Sequence, residues 1–232
     1  IIAVNSVGCL GEDYCTVTVN ALPTLTVNSG AICTGQSFTI VPTGASTYTY
    51  SSGSDVVNPL ATTDYSVTGT DANGCVITKS ITVTQPSSLT LTSALTPATC
   101  GNANGSGTVT VSGGSPAYTY NWSNGGISSI LTGALAGTYS VTVTDFKGCV
   151  LTKTVSVTNI PGPTAITGTT TLAGCGLSNG TYSITGVTGG TAIYSYSVDG
   201  VSTSNLTSGL AAGTHTVLVS DANGCIYSTT FI

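Results

Sequence analysis

The chain has 232 residues, of which 40% are hydrophobic and only 5% charged, and eight acidic residues against three cations leave a net charge of −5. Its cations, Lys79, Lys147 and Lys153, form no basic stripe, which excludes nucleic acid as a partner. No run of about 18 apolar residues exists, so membrane insertion by a helix is excluded too. An ordinary soluble domain is about 25% charged, so this surface must be clothed in Thr, Ser, Asn and Gly. The regular alternation of apolar and small polar residues separates the chain from disordered sequences, which lack hydrophobic residues and carry high net charge.

No stretch carries the i, i+3, i+4, i+7 stripe of a helix, and period-two alternation dominates throughout. Residues 1–22 predict only a hairpin, Ile1–Asn5 with Thr16–Val19, its apolar face at Ile2, Val4, Val17 and Val19. An isolated hairpin is marginal in water, so this segment is expected to be the C-terminal hairpin of an incomplete module. Its missing strands would lie upstream in a longer polypeptide or in a neighbouring chain. A first complete module is expected over 23–85, a second over 86–160 and a third over 161–232. In the second, strands are predicted at Leu89–Leu91, Gly107–Val111, Tyr118–Trp122, Ile127–Leu131, Thr138–Thr144 and Leu151–Val157. Gly-Gly, Ser-Pro, Asn-Gly and Ala-Gly turn signals separate them. The fold class that follows is all-β, a tandem array of Ig-like antiparallel β-sandwich modules with one disulfide each.

One phrase recurs. Tyr65 leads to Asp71-Ala-Asn-Gly74-Cys75, Tyr139 to Asp145-Phe-Lys-Gly148-Cys149, and His215 to Asp221-Ala-Asn-Gly224-Cys225, while a truncated copy ends at Cys9. Asp opens a turn by bonding nearby amides and Gly takes the left-handed position, so each phrase predicts a hairpin between the last two strands. Eight cysteines without metal-type pairs such as C-x2-C suggest disulfides rather than zinc, and hence an extracellular or surface location. The expected pairing is one bridge per module, Cys33–Cys75, Cys100–Cys149 and Cys175–Cys225, each clamping a pole of its own sandwich. On the chain-entropy model such a bridge contributes roughly 4 kcal/mol. Cys15 falls where the next module has Ile81; it is expected to pair with Cys9, the alternative being that Cys9 bonds a cysteine further upstream.

Linkers fall at Ala21-Leu22-Pro23, Gln85-Pro86-Ser87 and Ile160-Pro161-Gly162-Pro163. They are short and Pro-rich, which predicts a semi-rigid line of modules. They lack the clustered carboxylates that calcium requires, and no metal, cofactor or catalytic residue is implied. His215 lies near Ser220 and Asp221, but it replaces Tyr65 and Tyr139 of the other copies, so an edge-packing role is expected rather than a triad. Tyr118, Tyr120 and Trp122 alternate on one strand, as do Tyr48 with Tyr50 and Tyr194 with Tyr196. Period-two aromatics of this kind pack cores; the competing reading is a glycan-stacking platform centred on Trp122.

The second module reads Thr99-Cys100-Gly-Asn-Ala-Asn-Gly-Ser-Gly, then Ser112-Gly-Gly-Ser-Pro-Ala-Tyr-Thr-Tyr-Asn-Trp122, then Ala136-Gly-Thr-Tyr139 and Asp145-x-x-Gly148-Cys149. It resembles the SprB-type repeat of very large surface adhesins in gliding Bacteroidetes. The third module is similar, with Val198 in the Trp slot and His215 in the Tyr slot. The first, with Thr62-Thr-Asp-Tyr65, looks like a generic bacterial Ig-like repeat. The resemblance implies a non-enzymatic secreted protein, adhesive or filament-forming, exported by the type IX system. The partners it implies are further modules of the same long polypeptide, other copies of the chain, or surface glycans.

Overall fold

A computed structural model describes residues 2–4, 7, 10–12 and 16–232. The chain divides into two compact units, residues 1–88 and 89–232. Every regular element among the described residues is a β-strand, and none contains a helix long and apolar enough to cross a membrane.

The first unit opens on an antiparallel hairpin in which Ile2–Val4 pairs with Leu10–Glu12, Ile2 facing Glu12 and Val4 facing Leu10. The partner strand therefore differs from the expected Thr16–Val19, which is not a strand and leaves Val17 and Val19 exposed. The nearer segment closes a shorter loop, at a smaller entropic cost. Cys9 and Cys15, with their expected bridge, lie outside the described residues. Beyond the hairpin, Thr47–Tyr50, Thr63–Thr70, Val76–Thr84 and the short Gly30–Ala31 form one sheet. Thr26–Val27 pairs with Pro42–Thr43, and Phe38–Thr39 with Val56–Val57. Ile32, Ile40, Val57, Val67, Ile81 and Val83 fill the core between them.

The second unit contains two sandwiches of matching strand order, the later one with an added edge strand, Val201–Thr203. In the first of these, Thr90–Thr96, Gly105–Ser112 and Ile130–Ala134 form one sheet, and Thr119–Trp122, Gly137–Thr144 and Val150–Val157 the other. In the next, Pro163–Thr171, Gly180–Gly189 and Leu206–Leu210 face Val201–Thr203, Ser195–Val198, His215–Ser220 and Ile226–Phe231. Two antiparallel sheets with this connectivity make an Ig-like sandwich, and the chain is a tandem array of them. Along Gly137–Thr144, Val141 and Val143 are fully buried while Ser140, Thr142 and Thr144 face outward. This alternation is what a strand with one core face requires. The outward hydroxyls satisfy one another across strands, as in Thr142–Thr152 at 2.9 Å and Thr68–Thr78 at 2.8 Å. That ladder lets the surface stay polar with almost no charge.

Trp122 is 2% exposed, the largest side chain in the core of Val109, Leu131, Val141, Val143, Val155 and Val157. Its indole Nε1–H donates to the Ser128 carbonyl at 2.9 Å, so the ring's polar edge is satisfied inside the protein. A sealed indole offers no face to a sugar, and the glycan-contact reading of Trp122 is corrected accordingly. Tyr118 and Tyr120 pack against the same core. The fourth strand of this module runs Ile130–Ala134 instead of Ile127–Leu131, because Trp122 N–H bonds the Gly126 carbonyl and turns the chain there. Replacing Trp122 by Ala should cost about 3–5 kcal/mol of unfolding free energy, measured by denaturant titration. Loss of binding on a glycan array with unchanged stability would contradict this placement.

Candidate functional site: a stapled junction between modules

The Asp-x-x-Gly-Cys phrase builds the same hairpin three times. Asp145 Oδ1 accepts hydrogen bonds from the amides of Lys147 (2.9 Å) and Cys149 (2.8 Å), and the Gly148 amide donates to the Asp145 carbonyl (3.0 Å). Asp221 holds Asn223 and Cys225 in the same way, both at 2.9 Å, and Asp71 holds Asn73 and Cys75, both at 2.8 Å. Gly74, Gly148 and Gly224 all take φ near +80°, with values of 82°, 83° and 76°. A side chain is disfavoured in that left-handed conformation. The second carboxylate oxygen reaches sideways: Asp145 Oδ2 accepts from the Ser115 amide at 2.8 Å, and Asp221 Oδ2 from the Thr191 amide at 2.9 Å. The Gly-Gly loops of the second and third modules are thereby pinned to the hairpin pole. In each case a cysteine is presented just past the turn.

Burial raises the pKa of Asp145, but the amides of Ser115, Cys149, Lys147 and Gly148 outweigh it and hold the carboxyl below the usual carboxylate value. The Thr191, Cys225 and Asn223 amides likewise prevail over burial at Asp221. With both oxygens occupied by amides, these carboxylates act as fasteners of the turn. Among the described residues no three His, Cys, Asp or Glu side chains cluster to hold a metal.

The opening cysteine of a module sits at the other pole. Ala98–Thr99 pairs in parallel with Asn159–Ile160, and the Cys100 amide donates to the Ile160 carbonyl at 3.0 Å. Cys100 therefore lies at the end where the chain leaves the second module. The linker runs straight on: Pro163 is buried, and a Cβ on Gly162 would come within 2.5 Å of Cys225 Cβ. Only a glycine lets the linker backbone lie this close to the closing cysteine of the third module. The two sulfurs meet across the linker, and Cys100 bonds Cys225 with a Cα–Cα distance of 5.2 Å at a sequence separation of 125.

The one-bridge-per-module pairing is thus corrected. Cys100 bonds neither Cys149 nor any other cysteine of its own module, Cys225 does not bond Cys175, and Cys33 does not bond Cys75, because Cys75 and Cys175 are free thiols. Cys33 and Cys149 are each disulfide-bonded. The reason is strand length. Cys149 precedes Val150–Val157 and Cys100 lies beside the residues that follow it; eight residues at about 3.3 Å each separate them by roughly 26 Å. A disulfide tolerates Cα separations only up to about 7 Å. The nine-residue strand Val76–Thr84 separates Cys75 from Cys33 in the same way.

The far pole also explains His215. Its Nε2–H donates to the Ala211 carbonyl at 2.9 Å, four residues upstream, where the Tyr139 hydroxyl donates to the Leu135 carbonyl at 3.0 Å. The imidazole thus makes the corner bond of a tyrosine. Its Nδ1 faces Asp199 Oδ2 at 2.6 Å, and the ring stacks on Phe231. The Ala211 carbonyl and the Asp199 carboxylate both favour the charged ring and raise its pKa. Hydrogen bonds from His215 and the Thr216 amide hold Asp199 low. Neither Ser220 nor Asp221 is a partner of the ring, and the triad geometry is absent. Tyr118 and Tyr194 clasp the carbonyls of Gly113 and Gly189 at 2.8 and 2.9 Å. These two clasps, the sideways links of Asp145 and Asp221 through Oδ2 and the bond across the linker were missed by reading strands alone; the Gly-Gly-x-x-x-Tyr spacing was the signal for the clasps. Beside His215 a cleft of about 190 Å³ is lined by Leu172, Gly180, Leu210, His215 and Phe231. In the second module a Cβ on the equivalent Gly105 would meet Val157.

Removing the staple with Cys100→Ser should lower the stability of residues 89–232 by up to about 5 kcal/mol on the chain-entropy model, read as a fall in melting temperature under oxidising conditions. Because the folded-state pKa values of Asp145 and Asp221 are depressed, their contribution is full above the unfolded value of about 3.9 and is lost as the pH falls through the folded values. The melting temperature should therefore drop below about pH 4, and Asp145→Asn with Asp221→Asn should lower it at neutral pH and flatten that drop.

The family model for the SprB repeat matches residues 92–126, which span Cys100, the Gly113-Gly114 loop and the Trp122 strand. A search of curated proteins finds no match. Solved structures similar to the chain include the N-terminal eight Ig domains of Down Syndrome Cell Adhesion Molecule, 15% identical with a TM-score of 0.44. That match covers 99% of this chain and 38% of the other. Another is a Ca2+-stabilised adhesin that helps an Antarctic bacterium reach out and bind ice, 18% identical with a TM-score of 0.38, covering 99% of this chain and 78% of that one. A third is a 1.5-MDa bacterial ice-binding adhesin, 17% identical with a TM-score of 0.39, covering 91% and 97%. Over residues 92–126 the second module is thus similar to the SprB repeat.

Proposed function

We propose that this chain is a load-bearing segment of an extracellular stalk or filament on a bacterial surface. The observation that carries this reading is the Cys100–Cys225 bond, which joins one module to the next instead of closing a module on itself. Tension applied along the array passes through the junction, where a Pro-rich linker alone would be the weakest point. The staple puts a covalent path in parallel with that linker, and the parallel pairing of Ala98–Thr99 with Asn159–Ile160 stiffens it further. A surface with few charges favours close packing of modules against neighbours, so self-association accompanies the role. Export by the type IX route and a surface location follow from the SprB resemblance. Glycan recognition loses its named residue now that Trp122 is in the core.

Single-molecule pulling tests the mechanical reading. With the staple intact, the chain from Cys100 to Cys225, a sequence separation of 125, cannot extend when its modules unfold; a reductant should release at least roughly 430 Å of hidden length at about 3.4 Å per residue. Equal contour lengths with and without reductant would sink the proposal.

A further inference from the structure

Among the described residues two cysteines are free, Cys75 and Cys175, and they stand at complementary positions. Cys175 opens the third module as Cys100 opens the second; Cys75 closes the first module as Cys225 closes the third. We infer that Cys175 and Cys75 are the two half-sites of the same cross-module staple, Cys175 taking the closing cysteine of a further module of this type and Cys75 the opening cysteine of one. This extends the load-bearing reading from one junction to a continuous sulfur ladder, and its failure would leave the Cys100–Cys225 staple and its mechanical test untouched.

Both half-sites share the hydrogen-bond frame of the bonded ones. In the loop of Cys100 the Asn102 amide donates to the Thr99 carbonyl at 2.9 Å, and Asn104 Oδ1 accepts from the Thr99 amide at 2.8 Å. In the loop of Cys175 the Leu177 amide donates to the Gly174 carbonyl at 2.9 Å, and Asn179 Oδ1 accepts from the Gly174 amide at 2.8 Å. The two loops make the same bonds at the same offsets from the sulfur. At the closing position, the Cys75 amide donates to Asp71 Oδ1 at 2.8 Å and the Cys225 amide to Asp221 Oδ1 at 2.9 Å. In both hairpins the cysteine carbonyl accepts from the aspartate amide at 3.0 Å. Cys175 is exposed and Cys75 half-buried, so an incoming thiol can reach them. Cys33 and Cys149, an opening and a closing cysteine, are both already oxidised.

The chemistry is thiol–disulfide exchange with a small-molecule disulfide such as oxidised glutathione. The Cys175 thiolate attacks one sulfur and expels a thiolate. The closing cysteine's thiolate then attacks the mixed disulfide and expels the second. Two protein thiols give up two protons and two electrons, and the small disulfide leaves as two thiols. The incoming cysteine has two sources, a second copy of this chain or a further module joined to the same polypeptide.

The test has two arms. In the first, the full chain is concentrated with oxidised glutathione, run on a non-reducing gel and mapped by mass spectrometry of unreduced peptides. A second copy as the source gives a ladder of multimers linked by Cys75–Cys175. Cys75→Ser alone and Cys175→Ser alone then stay monomeric, and their mixture stops at the dimer. In the second arm, the chain is extended after Ile232 by another copy of residues 161–232. The same polypeptide as the source gives an intramolecular bond from Cys175 to the closing cysteine of the appended copy, with no multimers in the first arm. A Cys175–Cys175 dimer, a scrambled set of bonds, or a free Cys175 in both arms would overturn the inference.

Discussion

A sandwich module that enters and leaves at opposite ends puts its first and last cysteines a full strand length apart, and this distance governs the chain's covalent chemistry. Cys100 sits where the backbone exits toward the third module, beside Ile160. Cys149 sits at the hairpin pole, eight strand residues away. No rotamer bridges that gap. The third module, however, arrives with its own hairpin pole against the linker, bringing Cys225 within bonding distance of Cys100. The opposition that forbids a bond within a module therefore sets up a bond between modules.

The pole itself depends on uncharged hydrogen bonding organised by one carboxylate. Asp145 and Asp221 are among the few ionisable groups in the chain, and both are buried. Each stays ionised because three or more backbone N–H groups converge on it, replacing the water it has lost. A carboxylate in that role needs no lysine or arginine, which fits a chain with three cations in total. Elsewhere the work is done by threonine pairs across strands and by tyrosine hydroxyls on loop carbonyls. Both are neutral, short-range and indifferent to salt.

The third module shows how the pattern tolerates substitution. His215 takes the place of a tyrosine and keeps the corner bond through Nε2, while its second nitrogen recruits Asp199. Val198 takes the place of Trp122, and the core is refilled by Tyr182 stacked on Phe231 with ring centroids 3.9 Å apart. What persists between the modules is the set of backbone positions that must be held, and different side chains hold them.

Much of this was legible along the chain. Period-two alternation at Val141 and Val143 marked the strands. The Asp-x-x-Gly-Cys phrase marked the hairpins, because an Asx turn closes over four residues and needs nothing from elsewhere in the fold. The period-two run of Tyr118, Tyr120 and Trp122 pointed to the core for the same local reason. The hairpin near the N-terminus was misplaced, since Leu10–Glu12 and Thr16–Val19 both alternate and only pairing decides between them. The partners of the cysteines were illegible in principle. Sequence places Cys100 and Cys149 in one repeat, but a disulfide answers to distance in space, and only the folded array shows that a repeat's two ends lie apart while successive repeats meet. Local order came from the residues themselves; who is bonded to whom came from the rise of a β-strand multiplied by its length.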